Sequence, residues 1–214
     1  MNKKTAALLL IVVIVVSSVV LFVLRGRTGI LFDAGDRYDS TKLDYMNVVY
    51  ENRTDILAFN EGYSESDNCP WGFEHNGIDY FLANDSVVIA AAPGQVIDIE
   101  WKDYGEGEEN RFHIRITIRF NATVEIGYNF EPWTQNEADK NQQIAMFDVE
   151  VGEWVEIGDK IASFLNVGDG AHIHFDVIQD NTRYCPKQYF SQEGYAEIME
   201  MIHSFHPTWE LCYP

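Results

Sequence analysis

Two short stretches of this chain carry side chains able to bind a metal or move a proton. The first is Ala171-His172-Ile173-His174-Phe175-Asp176-Val177, which follows Gly168-Asp169-Gly170. Its β-branched and aromatic content predicts a strand. On a strand residues i and i+2 share a face, so His172 and His174 project together, about 6–7 Å apart at Cα. The second is His75-Asn76-Gly77-Ile78-Asp79, far upstream. Fully extended, it would hold His75 and Asp79 roughly 13 Å apart. A bend at Gly77 is expected to bring them within reach of one ion. His75, Asp79 and His174 together offer two imidazoles and a carboxylate. That donor set suits a single Zn²⁺ and leaves its fourth position open, as catalytic zinc sites do. The plain alternative is a turn with a solvated aspartate and an ordinary strand histidine.

The order of these motifs resembles a known family. His-x-Gly-x-Asp at 75–79 is followed by Ala90-Ala91-Ala92-Pro93-Gly94. Next comes Val151-Gly152-Glu153-Trp154-Val155-Glu156-Ile157-Gly158-Asp159-Lys160-Ile161, and then His172-Ile173-His174-Phe175. This is similar to the lysostaphin/LytM-type zinc metallopeptidases (the duplicated hybrid motif fold) over about residues 70–178. The resemblance implies that His75, Asp79 and His174 hold one zinc ion and that His172 assists catalysis. It implies a peptide substrate, commonly a Gly-rich or cross-linking peptide of a cell wall. One departure stands out. The family places a further catalytic histidine on a central strand before the Gly-x-x-Val-x-x-Gly stretch. Here that piece reads Val124-Glu125-Ile126-Gly127-Tyr128-Asn129-Phe130-Glu131 and has no histidine. Asn129, Tyr128 and Glu131 are the candidates for its place; Asn129 can donate a hydrogen bond but cannot carry a positive charge.

The elements that must position these residues read as mainly β. Runs 87–91, 94–101, 112–120 and 123–130 are rich in strand formers and are separated by Pro93-Gly94, by Tyr104-Gly105-Glu106-Gly107 and by Asn121-Ala122. Along 112–120, Phe112, Ile114, Ile116, Ile118 and Phe120 alternate with His113, Arg115, Thr117 and Arg119, the period of a half-buried antiparallel strand. His113 is therefore expected on a solvent face. An antiparallel β-sheet or β-sandwich-like core of the LytM type follows from the resemblance. Its boundaries are an anchor at 1–28, a lead-in at 29–68 with a short strand near 46–50, the β domain at 69–180 and a C-terminal extension at 181–214. Residues 131–148 read as an insertion, partly helical or lying over the groove, with Trp133 in a packing role. Helix-compatible spacing recurs at 195–203. His203 and His206 lie three apart without a placed partner, which marks a helix end rather than a second metal site. The Gly-centred hairpin at 151–164 also resembles lipoyl and biotinyl carrier hairpins, but Lys160 lacks their context.

Composition bounds the rest. The chain has 214 residues, 46% hydrophobic and 14% aromatic, with a formal net charge of −19. That acidity and the lack of any Lys/Arg stripe exclude nucleic acid as a partner. A run of 19 uncharged, mainly apolar residues from Ala6 to Leu24 follows Lys3 and Lys4. At 1.5 Å per residue it spans about 28 Å, the length of an uncleaved single-pass membrane helix. Asn-x-Ser/Thr triplets at Asn52, Asn84 and Asn121, and the acidic remainder, favour an extracytoplasmic domain. Of the three cysteines, Cys185 is expected to pair with Cys69 or Cys212. The sequence thus supports a membrane-anchored zinc peptidase acting on peptide or cell-wall-like substrates. The alternatives are a catalytically impaired zinc-binding module at the cell surface and a purely structural surface domain.

Overall fold

The structure, a computed structural model, describes residues 32–214. The expected membrane anchor lies outside them, and among the described residues no helix is long and apolar enough to cross a membrane. In chain order the strands are β1 (Ile56–Phe59), β2 (Tyr63–Ser64), β3 (Ile78–Leu82), β4 (Val87–Ile89), β5 (Gly94–Asp103), β6 (Phe112–Arg119) and β7 (Val124–Glu131). After helix α1 (Glu137–Ala145) come β8 (Trp154–Val155), β9 (Lys160–Ser163), β10 (His172–Gln179) and β11 (Thr182–Tyr184). Helix α2 (Gln192–Phe205) and β12 (Cys212–Tyr213) close the chain.

The sequence pattern dictates a mainly β fold, and one eight-stranded sheet forms, in the order β1-β3-β10-β7-β6-β5-β8 with β11 attached to β10. Its pairings are antiparallel. Period-two alternation sorts its residues cleanly. Ile78, Tyr80, Ile114, Ile116, Ile126, Tyr128, Phe130, Ile173 and Phe175 are fully buried on one face. Asp79, His113, Arg115, Asn129, Glu131, His172 and His174 occupy the other. A slip of one residue in any of these strands would exchange the two sets, so burial of the apolar face fixes the register of the polar one. The sandwich-like expectation holds only in part: the apolar face is covered by the small β4–β9 sheet, by Ala90, Ala91 and Ala92, and by Ile198, Met201 and Ile202 of α2.

Of the lead-in, the described residues 32–68 are more than a spacer. Met46, Val49 and Tyr50 enter the core, β1 is an edge strand of the main sheet, and Tyr50 and Arg53 bond Glu197 of α2. The strand expected near 46–50 is absent; only single bridges form there, from Met46 to Phe190 and from Tyr50 to Val88. The 131–148 insertion is helical over α1, whose Asn136 cap accepts from the Ala138 amide. Its Gln143 side chain donates to the Ser163 carbonyl and accepts from the Leu165 amide, which ties the helix to the end of β9.

The polar face is not an ordinary wet surface. Asp176 is buried and held by Arg115 through two nitrogens and by Arg183 Nε at 2.8 Å. Burial alone would raise the Asp176 carboxyl, but the two guanidiniums outweigh it and hold the group below the usual carboxylate range. Gly127 lies opposite Asp176 on β7, and a Cβ there would stand 1.8 Å from Arg115 Nη2 and 2.4 Å from Asp176 Oδ1. Only glycine leaves room for this ion pair. Gly127→Ala is expected to cost about 1–3 kcal/mol of stability. Thermal unfolding checks this, and an unchanged midpoint contradicts the packing described.

Candidate metal centre

Three strands and a loop deliver the site. In the sheet Asp79 of β3 pairs with His174 of β10, and His174 pairs with Asn129 of β7, so one row crosses three neighbouring strands on one face. Two residues along β10, His172 pairs with Glu131 of β7. His75 comes from the loop before β3, which bridges β2 through Ser64.

His75, Asp79 and His174 converge as their spacing suggests. His75 Nε2 lies 3.1 Å from His174 Nδ1 and 3.3 Å from Asp79 Oδ1, and His174 Nδ1 lies 2.9 Å from Asp79 Oδ1. Donor atoms at tetrahedral directions and ~2.0–2.1 Å from a zinc ion stand about 3.3–3.4 Å apart. The observed triangle is this figure slightly contracted. Among the described residues it is the one group of three such donors found close enough to hold a metal. Gly77 contributes by its lack of a side chain rather than by a left-handed bend, since its φ is not positive. A Cβ there would meet His174 Nε2 at 2.5 Å and the Phe175 carbonyl at 2.6 Å.

The tautomers also suit a cation. His75 Nδ1 lies 2.7 Å from the Gly62 carbonyl oxygen, which can only accept, so Nδ1 carries the proton there and Nε2 offers its lone pair inward. Metal-ligating histidines commonly donate their second N–H to a backbone carbonyl in this way. Asp79 is 3% exposed. Burial would raise its carboxyl, but His172, His174 and His75 outweigh that and hold it well below the usual carboxylate range. His75 shows the reciprocal effect. Burial disfavours its charge, yet Asp79, the Gly62 carbonyl and Glu61 push it up to about 9. The pocket without an ion thus attracts a proton, which a metal would displace.

A second constellation adjoins the first. His172 is buried, and its Nδ1 donates to the Gly170 carbonyl at 2.7 Å. Its Nε2 is left between Asp79 Oδ2 at 3.6 Å and Glu131 Oε2 at 3.5 Å. Glu131 receives Asn110 Nδ2 and Asn129 Nδ2 and lies 3.2 Å from His113 Nδ1. Burial raises the Glu131 carboxyl, and the His113 hydrogen bond and the charge of His172 more than offset it, so it stays ionised. The expected place of His113 on an open solvent face is therefore corrected. It is half-buried in the groove, because Glu131 of the neighbouring β7 lies beside it and Tyr104 covers its ring at 4.3 Å between centroids. Asn129 does not stand beside His172; that place belongs to Glu131, and Asn129 serves as a donor to it.

Glu61 carries no signal in the sequence, sitting in a stretch that reads as a polar turn. Its carboxyl is pushed up to about 7 by burial and by the neighbouring Asp79. Trp133 packs as expected, its ring filling the space that a Cβ on Gly170 would need, 5.9 Å from the His172 ring. It does so with a left-handed backbone, φ 57°. His203 and His206 form no site: each Nε2 bonds a backbone carbonyl, of Trp209 and of Phe59 respectively. Cys185 pairs with Cys212, and Cys69 is free.

Neither a protein-family model nor a curated protein sequence matches the chain. Solved structures do. Csd3 of Helicobacter pylori is similar over 68% of this chain and 34% of its own, at 16% identity and TM-score 0.46. A zinc containing peptidase from Vibrio cholerae is similar over 67% and 39%, at 19% identity and TM-score 0.43. The catalytic domain of the antimicrobial peptidase lysostaphin from Staphylococcus simulans is similar over 63% and 91%, at 19% identity and TM-score 0.42. The chain spans little more than a third of the first two proteins. Likenesses at this level say nothing about activity, and what the site can do follows from its own donor atoms.

Those atoms fit zinc. Equilibrium dialysis followed by metal analysis is expected to find one zinc ion per chain, lost in His174→Ala. Equal zinc content in the two proteins contradicts the assignment.

Proposed function

We propose that this chain is a zinc-dependent hydrolase of peptide bonds. The observation that carries the reading is the adjacency of two differently built groups on one sheet face. One is a triangle of three donors, one fewer than zinc takes; the other is a buried histidine and carboxylate pair, His172 and Glu131, at its edge. His75, Asp79 and His174 would hold the ion. Zinc supplies Lewis acidity toward a peptide carbonyl and toward water.

The protein's own residues handle the protons. The Glu131 carboxyl is held below the usual carboxylate range, and its Oε2, which accepts from Asn110, faces His172 Nε2 at 3.5 Å, so it is suited to accept a proton from the attacking water. His172 Nε2 stands next to it and can hand a proton to the departing amine or stabilise the developing oxyanion. Asn110, Asn129 and His113 keep Glu131 in place. A groove of about 530 Å³ runs from His174 past Asn129, Arg115 and Arg183 to Trp101 and Tyr104, room for several residues of an extended peptide. We further read the substrate as a surface or cell-wall-like peptide, and the location as a membrane-anchored, extracytoplasmic one. The Cys185–Cys212 disulfide supports the latter, since such bonds persist in oxidising compartments.

The test is digestion of a peptide library by the zinc-loaded protein. Cleavage is expected, with His172→Ala abolishing it and Glu131→Gln lowering kcat about 10²-fold or more while zinc content is kept. A library left intact removes the hydrolase reading and leaves a zinc-binding module. Full activity in Glu131→Gln removes the role given to that carboxylate.

A further inference from the structure

The third ligand, His75, lies on a loop and not in the main sheet, and what holds it there comes from the far end of the chain. Ser64 of β2 exchanges two backbone hydrogen bonds with His75, N to O at 2.7 Å and 3.0 Å, and Gly62 just before it accepts from His75 Nδ1. A two-residue strand cannot fix a ligand by itself. On its other side β2 is paired in parallel with β12, the Tyr63 amide donating to the Leu211 carbonyl at 3.0 Å and the Glu65 amide to the Tyr213 carbonyl at 3.1 Å. Trp71, whose Nε1 donates to Ser64 Oγ, packs edge-on against Trp209 and Tyr213. The contact is close: a Cβ on Gly62 would stand 2.5 Å from the Leu211 carbonyl oxygen.

β12 is as short as β2, and the Cys185–Cys212 disulfide fastens it to the chain directly after β11, itself paired to the His174 strand. Two of the three donors are thus tied into one frame: His174 through β10, and His75 through β2, β12 and the disulfide. We propose that the C-terminal segment 206–214, pinned by Cys185–Cys212, is a positioning clasp for His75, so that opening this disulfide weakens metal binding. This rests on the zinc reading above. Both cysteines are half-buried, not sealed in the core.

The chemistry of opening is a two-electron reduction. With a phosphine and water the S–S bond breaks, phosphorus takes the oxygen of water to become the phosphine oxide, and the two hydrogens end on the two thiols. A phosphine is preferred to a dithiol because dithiols compete for zinc.

Two readouts on the full protein test the proposal: zinc affinity by competition with a chromophoric chelator, and amide hydrogen exchange. Reduction of the folded protein is expected to weaken zinc binding about 10-fold or more, the range for loss of an outer-shell partner. It should also speed exchange at the Tyr63, Glu65 and His75 amides while β7 and β10 remain protected. Cys185→Ser with Cys212→Ser should reproduce both effects, excluding zinc capture by the new thiols. Gly62→Ala, which pushes β12 away with the disulfide intact, should also lower the affinity. Faster exchange with unchanged zinc affinity overturns the clasp, as does no change in either. An oxidised protein that binds no zinc overturns the metal reading itself, and this proposal with it.

Discussion

A carboxylate buried among three imidazoles is the constraint on which the rest of this structure depends. Asp79 has almost no contact with water, and a buried charge without a partner costs several kcal/mol. Its two oxygens face in different directions: Oδ1 toward His75 and His174, Oδ2 toward His172. The same group therefore joins a coordination triangle to a proton-handling pair. Neither half works if β3 slips against β10 by one residue, because Asp79 would then turn into the apolar core in place of Tyr80.

The apolar face of the sheet guards against that slip, and the polar face is built to match. Across it, charges are paired along and between strands: Asp176 with Arg115 and Arg183, Glu125 with Arg119, and Glu131 with His113 and His172. Buried pairs of this kind add little net stability, since desolvation consumes most of the attraction. What they do is hold side chains still. Arg115 in its ion pair walls one side of the groove, and Glu131 can take up only one orientation between its donors. The cost of this polar layer is carried by the aromatic and β-branched layer behind it.

Much of this was legible in the sequence, and for identifiable reasons. The alternation along 112–120 and the strand-forming run at 123–130 announced β6 and β7, and His-x-His on a strand announced two imidazoles on one face. The convergence of His75 with His174 came from motif order rather than from periodicity, because a loop ligand leaves no periodic trace. Glu131 was legible only as one of three candidates, since choosing among them needs the β7 to β10 register. His113 was misplaced because alternation says which face a residue takes but not what covers that face. Here the face is a groove lined by Tyr104, Arg115 and Glu131. Glu61, and the part that residues 43–59 take in the core, had no signal: short strands and a lone glutamate in a polar stretch look like any linker. The pairing of Cys185 with Cys212 likewise depends on where β12 lies, which spacing does not encode.

The identity of three donor atoms around one ion decides what this site is. X-ray absorption at the zinc edge of the loaded protein reads them directly. The structure predicts a four-coordinate zinc with two imidazole nitrogens, one carboxylate oxygen and one further light atom, at about 2.0–2.2 Å. A spectrum with sulfur at about 2.3 Å, or with oxygen neighbours alone, would contradict it.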